Sequence, residues 1–499
     1  MNDVRDIPLS YGQRALWFVQ KLVPGATAYN VSLPARARNL DVAAWRAAWQ
    51  SLADRHPVLR TTYPAPGGAP VGRVHDSLPV DFLEIDASAW SAEDLERRLA
   101  EEAHRPFRLE EGPAVRLRLF HRPDGETITL PSLHHISVDF SSLAILLDEL
   151  GIFYDAARAG RSVELPPLAA TYESFARRQA EMLAGPRGLE LEALWQSRLA
   201  DAPPALDLPM DHPRPRSQTF RGGSLDMLLL SDVTRGAKAL AAAEGVDLRT
   251  LLLTAFQALL CRYTGQTDLP VGCPLPGRPD PELREVVGYF VNSVVVRGDF
   301  AGAPGFRAAL ARVRQRMEEA TAWQDYPFPL LVERLRPQRD PGASPFFQVL
   351  FVLYQGEEER VVRLLNGQSG AALRTGSLEL EPYTLGGRAA MFDLSLLMSD
   401  AGDHVTASFQ YNSDLFEAAT IARLAEDYAE LLAAVLADPG RPVSTLPASL
   451  GQARRSVSRM HLPPASPHDL EQCHGRAEAR RARLERQKHL RESSDRRWP

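Results

Sequence analysis

Between Ala114 and Gly160 the chain changes its hydrophobic period in one step. Val115, Leu117 and Leu119 alternate with Arg116 and Arg118, and Asp124-Gly125 supplies a turn back through Glu126-Thr-Ile-Thr-Leu-Pro-Ser-Leu133, so the stretch reads as a β-hairpin. From Leu143 the apolar residues recur at helical spacing, as Leu143, Leu146, Leu147, Leu150 and Phe153/Tyr154, up to Gly160. His134-His135-Ile-Ser-Val-Asp139 fills the crossing, which places two imidazoles where a strand ends and a helix begins. Pro131, inside the returning strand, lacks a ladder donor and predicts an edge or a bulge there.

Two more helices are written in Leu248 to Tyr263, with Gly265 beyond, and in Ala419 to Ala437, where Ile421, Leu424, Tyr428, Leu431/Leu432 and Val435 form a stripe stopped by Pro439-Gly440. Val349 to Leu353 and Val405 to Tyr411 read as strands, so the class is mixed α and β. A chain of 499 residues is about three times a typical domain, and 44% apolar with 24% charged residues supports a sizeable core. Ala202 to Arg221, with five prolines, reads as a linker. The boundaries expected are 1–180, a connector at 181–222, 223–447, and a basic tail at 448–499 with too few apolar residues to fold alone.

Net charge is −6, although the last 49 residues hold 12 basic against 6 acidic side chains, so the rest of the chain is acidic and does not read as a nucleic-acid binder. The start, Met1-Asn-Asp-Val-Arg-Asp, carries charge where a secretory signal needs an apolar stretch. No 18-residue uncharged apolar run follows, and Cys261, Cys273 and Cys473 are too few and too far apart for a disulfide framework or a zinc knuckle. These features predict a cytoplasmic protein without a membrane span.

The histidine motif carries the chemistry. An imidazole on a rigid strand end exchanges a proton near neutral pH, and an acid four residues on can fix the loop or the ring. The plain alternative is a pair of hydrogen-bonded loop histidines. A metal site is the weaker rival, because adjacent residues at a strand end point apart and no Cys or further His lies at ligand spacing nearby.

The motif does not stand alone. Leu9-Ser-Tyr-Gly-Gln-Arg-Ala-Leu-Trp17, Arg55-His-Pro-Val-Leu-Arg60-Thr, the histidine motif, Tyr172-Glu-Ser-Phe-Ala176, Val287-Gly-Tyr-Phe-Val-Asn292, Gln324-Asp-Tyr-Pro-Phe328 and Arg339-Asp-Pro-Gly-Ala-Ser-Pro-Phe-Phe-Gln-Val-Leu-Phe351 follow one another in order. Together they resemble the seven motifs of the condensation domains of nonribosomal peptide synthetases, from about residue 8 to 446. The fourth match is loose, with Ser174 where an Asp is usual.

The resemblance implies an α/β (α+β) fold of two chloramphenicol acetyltransferase-like halves, set as a V-shaped pseudodimer around a central tunnel. It implies a monomer without a resident cofactor, working on donor and acceptor carrier proteins of other synthetase modules. Their 4'-phosphopantetheine arms would tether an acyl or peptidyl thioester and an aminoacyl amine, and transfer would form an amide. His135 matches the residue that accepts the amine proton or holds the amine, and His134 the one that supports the loop. Asp139 is an architectural charge, with Arg278 or Arg60 as its partner. Phe140, Ser142, Asn292 and Tyr326 are the candidates for lining the channel, with loop ordering as the alternative for the last two. Trp17, Trp323 and Phe328 read as packing residues.

One position departs from the family pattern: Phe140 stands where Gly usually follows the motif Asp. A phenyl ring there narrows the donor channel, tunes it to one acyl donor, as in domains accepting polyketide-type donors, or closes it. The two histidines argue against a heterocyclising domain and against a binding-only recruitment domain, and the last motif argues against epimerisation. An ester-forming or coenzyme A-dependent acyltransferase of the same fold stays open, as does a catalytically silent recruitment domain should Phe140 close the channel.

Overall fold

The computed structural model describes residues 4–448 apart from 24, 26, 204, 279, 338–341, 367–371 and 386–387. The basic tail beyond 448 and part of the last motif lie outside the described residues.

Strand Glu126–His134 is the axis of the first half. Val115–His121 pairs with it antiparallel from Val115 opposite Leu133 to His121 opposite Thr127, and Asp124 and Gly125 turn the chain with φ of 61° and 72°. Asp81–Asp86 runs parallel to Val115–His121 at one side of the sheet. On the other side lie Asn30–Ser32 and Ala35–Arg38, then Leu378–Pro382 and Leu373–Thr375.

Pro131 therefore sits in an interior strand, not at an edge. Ser32 faces Ser132 and Ala35 faces Thr129, the same register on both sides of a gap that holds Leu33 and Pro34. The ladder is interrupted where Pro131 and Pro34 fall at neighbouring register positions, each lacking a donor, and the Pro131 carbonyl still accepts the Leu33 N–H at 2.9 Å. Helix Phe140–Arg158 follows the histidines and packs Leu143, Leu146, Leu147 and Leu150 with Trp45 and Trp49 of helix Val42–Arg55. Arg116 and Arg118 are buried beside helix Ala92–Ala103. Arg116 caps the carbonyls of Glu102, Arg105 and Pro106, and Arg118 pairs with Asp81 and Glu102.

The second half repeats this order. Strand Ala35–Arg38, helix Val42–Arg55, the hairpin and helix Phe140–Arg158 are matched by strand Arg221–Leu229, helix Ser231–Glu244, hairpin Leu394–Asp400/Val405–Asn412 and helix Ala418–Ala437. In both halves the first strand pairs antiparallel with the second arm of the hairpin. Val349–Tyr354 lies parallel between Asp268–Leu275 and Leu394–Asp400, and all its residues are buried, which is why its sequence is an unbroken apolar run. Asn292–Asp299 flanks this seven-stranded sheet, and helix Leu248–Thr264 ends at Gly265 in the left-handed region, φ 73°.

The stretch 181–222 is half helical: Pro186–Leu199 sends Leu191, Trp195 and Leu199 into the second core, and Leu206 and Leu208 follow them. In the opposite direction, helix Glu357–Asn366 and strand Leu378–Pro382 cross back, and Val361, Leu364, Leu378 and Leu380 complete the first core. Gly151 permits this crossing, since a Cβ there would lie 2.2 Å from the Thr375 hydroxyl. Among the described residues no helix is long and apolar enough to cross a membrane.

Candidate active site

The strand end presents the two histidines to different surroundings. His134 is 1% exposed, its ring 5.9 Å from Phe107 edge to face, and its Nδ1 accepts the Ile136 N–H at 3.0 Å. Burial, with the nearby charges of His135 and Arg116, drives its pKa down to about 3, so it is a neutral structural ring. His135 faces a cavity. Its Nδ1 lies 2.6 Å from the Val138 carbonyl, which can only accept, so the proton sits on Nδ1. The lone pair is then on Nε2, which has no hydrogen-bond partner among the described residues. Burial lowers the pKa of this ring too, against the opposing pull of the Val138 bond and the Asp139 charge. The backbone is held by His135 N–H to Tyr29 O at 2.9 Å and by Gln13 Nε2 to Ile136 O at 3.0 Å. The result is a neutral, oriented imidazole with a free lone pair toward the cavity.

Asp139 caps the following helix through Oδ1 to Ser142 N at 2.8 Å. Arg278 grips the same carboxylate with both terminal nitrogens, at 2.7 and 2.9 Å, and the Phe290 N–H adds a fourth bond at 3.0 Å. Burial pushes the Asp139 carboxyl up, but Arg278 and the Ser142 bonds outweigh it and hold it below the usual carboxylate range. Arg278 also stacks 4.2 Å over Phe290. Arg60 has no part in this: its Nε and Nη1 are buried without a partner among the described residues. Ser142 does not line the channel either. It is fully buried, donating to Gly288 O at 2.8 Å and accepting from Gly288 N at 3.0 Å and from Arg278 at 2.7 Å. Only glycine fits at 288, where a Cβ would meet the Tyr172 ring at 1.9 Å.

A cavity of about 1040 Å³ opens between the halves, lined by Tyr29, His135 and Phe140 from the first and by Asn292, Phe328, Tyr354 and Glu358 from the second. Phe140 lies edge-on to His135 at 6.2 Å and 4.8 Å from the Tyr354 ring, and Tyr289 covers His135 from another side at 5.2 Å. Asn292 touches the cavity, but its amide is a loop tie, donating to the carbonyls of Gln324 and Tyr326 at 2.7 and 2.8 Å and accepting from Phe328 N at 2.9 Å. Tyr326 is turned away, with its hydroxyl on Glu192 at 3.2 Å, and orders the loop without lining the channel. Trp17 and Trp323 pack, as expected, whereas Phe328, expected to pack as well, packs against the second core and also lines the cavity. Among the described residues no group of three His, Cys, Asp or Glu side chains could hold a metal ion.

Sequence reasoning passed over Tyr29, Tyr289, Tyr354, Arg249 and Glu358. Tyr289 and Tyr354 stand in or beside quoted motifs. Arg249 and Glu358 had no local signal at all.

The family model for the condensation domain matches residues 4–453. The chain belongs to the condensation-domain family. This condensation domain is 36% identical over 481 residues to phosphinothricin tripeptide synthetase PhsC of Streptomyces viridochromogenes, covering 95% of this chain and 43% of that protein. It is 35% identical over 449 residues to chondramide synthase cmdD of Chondromyces crocatus, covering 88% and 11%. It thus spans less than half the length of either relative. Among solved structures, the X-domain from teicoplanin biosynthesis superimposes with a TM-score of 0.79 at 28% identity, over 89% of this chain and 98% of that one. The condensation domain from the monacolin K polyketide synthase MokA shares the fold, with a TM-score of 0.76 at 20% identity, over 89% and 100%.

Proposed function

We propose that this condensation domain transfers an acyl or peptidyl group from a donor carrier protein to the amine of an aminoacyl group on an acceptor carrier, forming an amide. The reading is carried by one observation: the partnerless Nε2 of His135 faces a cavity built from both halves, its tautomer pinned by Val138. The 4'-phosphopantetheine arms enter as parts of the substrates, and one chain supplies the whole site. The carriers belong to neighbouring synthetase modules, and the setting is the cytoplasm.

A free α-amine has a pKa of roughly 7.7–8.0, so a useful fraction is neutral at physiological pH. As its nitrogen attacks the thioester carbon the C–N bond forms and the amine becomes acidic. His135 Nε2 takes that proton, and the neutral ring is ready for it because burial disfavours the imidazolium beforehand. The C–S bond then breaks and the proton goes to the departing thiolate, leaving a free thiol on the donor arm and the lengthened chain on the acceptor. Asp139 keeps the loop in place, its oxygens taken up by Arg278 and by the Ser142 and Phe290 amides. A hydroxyl acceptor would give an ester by the same proton path.

The test is intact-protein mass spectrometry of acyl-loaded and aminoacyl-loaded carriers mixed with the domain, beside His135→Ala. Product mass on the acceptor that disappears in the variant supports condensation and names both substrates. A second reading, recruitment of another enzyme, is favoured by the likeness to the teicoplanin X-domain, which has been solved in complex with OxyB, and by the Phe140 ring against His135. It takes over if carriers bind while wild type and variant are equally silent.

A further inference from the structure

The crossing helix Glu357–Asn366 opens on three acids, Glu357, Glu358 and Glu359. The outer two are neutralised one turn on, Glu357 by Arg360 at 2.6 Å and Glu359 by Arg363 at 2.7 Å. The same spacings from Glu358 reach Val361 and Val362, both apolar and buried, so its own helix gives it no cation. Glu358, Val362 and Leu365 follow one another at helical spacing and line the cavity as one face of that helix.

Among the described residues no other element supplies a cation either. The Glu358 carboxylate accepts one hydrogen bond, on Oε1 from the Ser141 hydroxyl, and Oε2 has no partner. Both terminal nitrogens of Arg278 are taken by Asp139, and Arg249, which also lines the cavity, makes no ion pair with Glu358. Burial pushes the Glu358 carboxyl above the ordinary range, and the pull of Ser141 and of those two positive charges does not offset it.

Direct contacts build the surroundings. Phe140 and Ser141 are consecutive at the start of helix Phe140–Arg158. The Phe140 ring lies 4.8 Å from the Tyr354 ring, and Ser141 holds Glu358, which follows Tyr354 after a turn at Gly356 with φ 61°. The carboxylate, two aromatic rings and the aliphatic pair Val362 and Leu365 therefore share one wall of the cavity. An unpaired carboxylate on an apolar wall is costly, and the group that best offsets this is a cation, through a charge-assisted hydrogen bond and the attraction of the ring faces. An aliphatic stem behind the cation would cover Val362 and Leu365. An anion would be repelled, and an apolar group would leave the carboxylate bare.

We propose that Glu358, with Ser141, Phe140 and Tyr354, forms a specificity pocket for the cationic side chain of a substrate residue, an ammonium or guanidinium on an aliphatic stem. The proposal rests on the condensation reading, because that reading makes the cavity the substrate channel. The Phe140 ring meets both His135, at 6.2 Å, and Tyr354, so the pocket lies one side chain away from the reacting atoms. The cation belongs either to the residue on the acceptor arm or to the last residue on the donor arm.

The experiment measures binding, so it does not depend on turnover. Calorimetry on the whole domain uses stable pantetheine analogues in which an amide replaces the thioester. They carry lysyl or the uncharged norleucyl, each with its α-amine free as an acceptor or acetylated as a donor. At neutral pH wild type is expected to bind lysyl over norleucyl by about 10-fold or more in one of these forms, the weight of one charge-assisted hydrogen bond. Preference in the free form assigns the cation to the acceptor, and preference in the acetylated form to the donor. Glu358→Gln should bring the ratio within about two-fold of one, and Glu358→Lys should favour glutamyl over norleucyl, both with melting curves that match wild type. Binding without a lysyl preference in either form, or a preference that Glu358→Gln keeps, overturns the pocket and leaves condensation untouched. A preference that depends on Glu358, without transfer to any acceptor, counts against condensation and leaves the pocket standing. A domain that binds none of these ligands overturns both.

Discussion

Replacing Arg278 by Met leaves Asp139 charged, 2% exposed and stripped of the two bonds at 2.7 and 2.9 Å. The Ser142 and Phe290 amides, at 2.8 and 3.0 Å, remain to hold it, and the Ser142 hydroxyl loses a donor as well. Breaking a buried pair from one side costs about 3–5 kcal/mol, because the charge left behind stays desolvated. Asp139→Asn removes the charge but keeps one oxygen for the helix cap, so the double variant should be less unstable than the two single losses added, by roughly 1–3 kcal/mol. Urea midpoints of the four proteins, with matched slopes, measure this. An Arg278→Met loss under about 1 kcal/mol, or strict additivity of the double variant, would refute the account of Asp139 as a charge that Arg278 makes tolerable.

His135→Gln should lower transfer by about 10² to 10⁴-fold with carrier affinity kept, read by single-turnover assay, and a loss under three-fold would sink its role as base. Stability should fall on acidification through His134. Its folded pKa of about 3 lies below the unfolded value of roughly 6.5, so the unfolded chain binds the proton first and the loss accumulates as pH drops through that window. His134→Gln should flatten the dependence of melting temperature between pH 7 and 5, and parallel curves would contradict it. Phe140→Ala should raise transfer of bulky acyl donors relative to small ones in competition, and an unchanged ratio would free Phe140 of any selecting role. Gly288→Ala should destabilise the domain by more than about 3 kcal/mol, because the Tyr172 ring and both Ser142 bonds must move, and a loss below about 1 kcal/mol would show that the loop yields.

What was legible in the chain was local. The change of period at His134 located the strand end, and the Asp-Gly turn and the Leu stripe fixed the elements on either side, because each signal spans a few residues and acts through backbone preference. Arg278 meets Asp139 across 139 residues, and nothing near either position ranks it above Arg60. Ser142 and Tyr326 sit in strong motifs for reasons of loop order, and motif strength alone does not separate a wall of the channel from its scaffold. Pro131 misled because a missing donor predicts a ladder defect without saying which strand carries it, and here Pro34, opposite Leu130, shares the gap. Glu358 and Arg249 were invisible for the same reason as Arg278: on paper each is an ordinary charged residue in a helix, and only the fold, with Glu358 on the crossing helix, brings them to one cavity.

That crossing limits how the domain can be recombined. A chimera joined near residue 222, keeping its own first half and borrowing the second, would receive foreign side chains where Val361, Leu364, Leu378 and Leu380 fill the first core. Each is worth about 1.5–3 kcal/mol when fully buried, and together they rival the 5–15 kcal/mol by which a typical folded protein survives. The inheritable unit is the pair of halves with their shared stretch, and a graft point that respects it lies outside both.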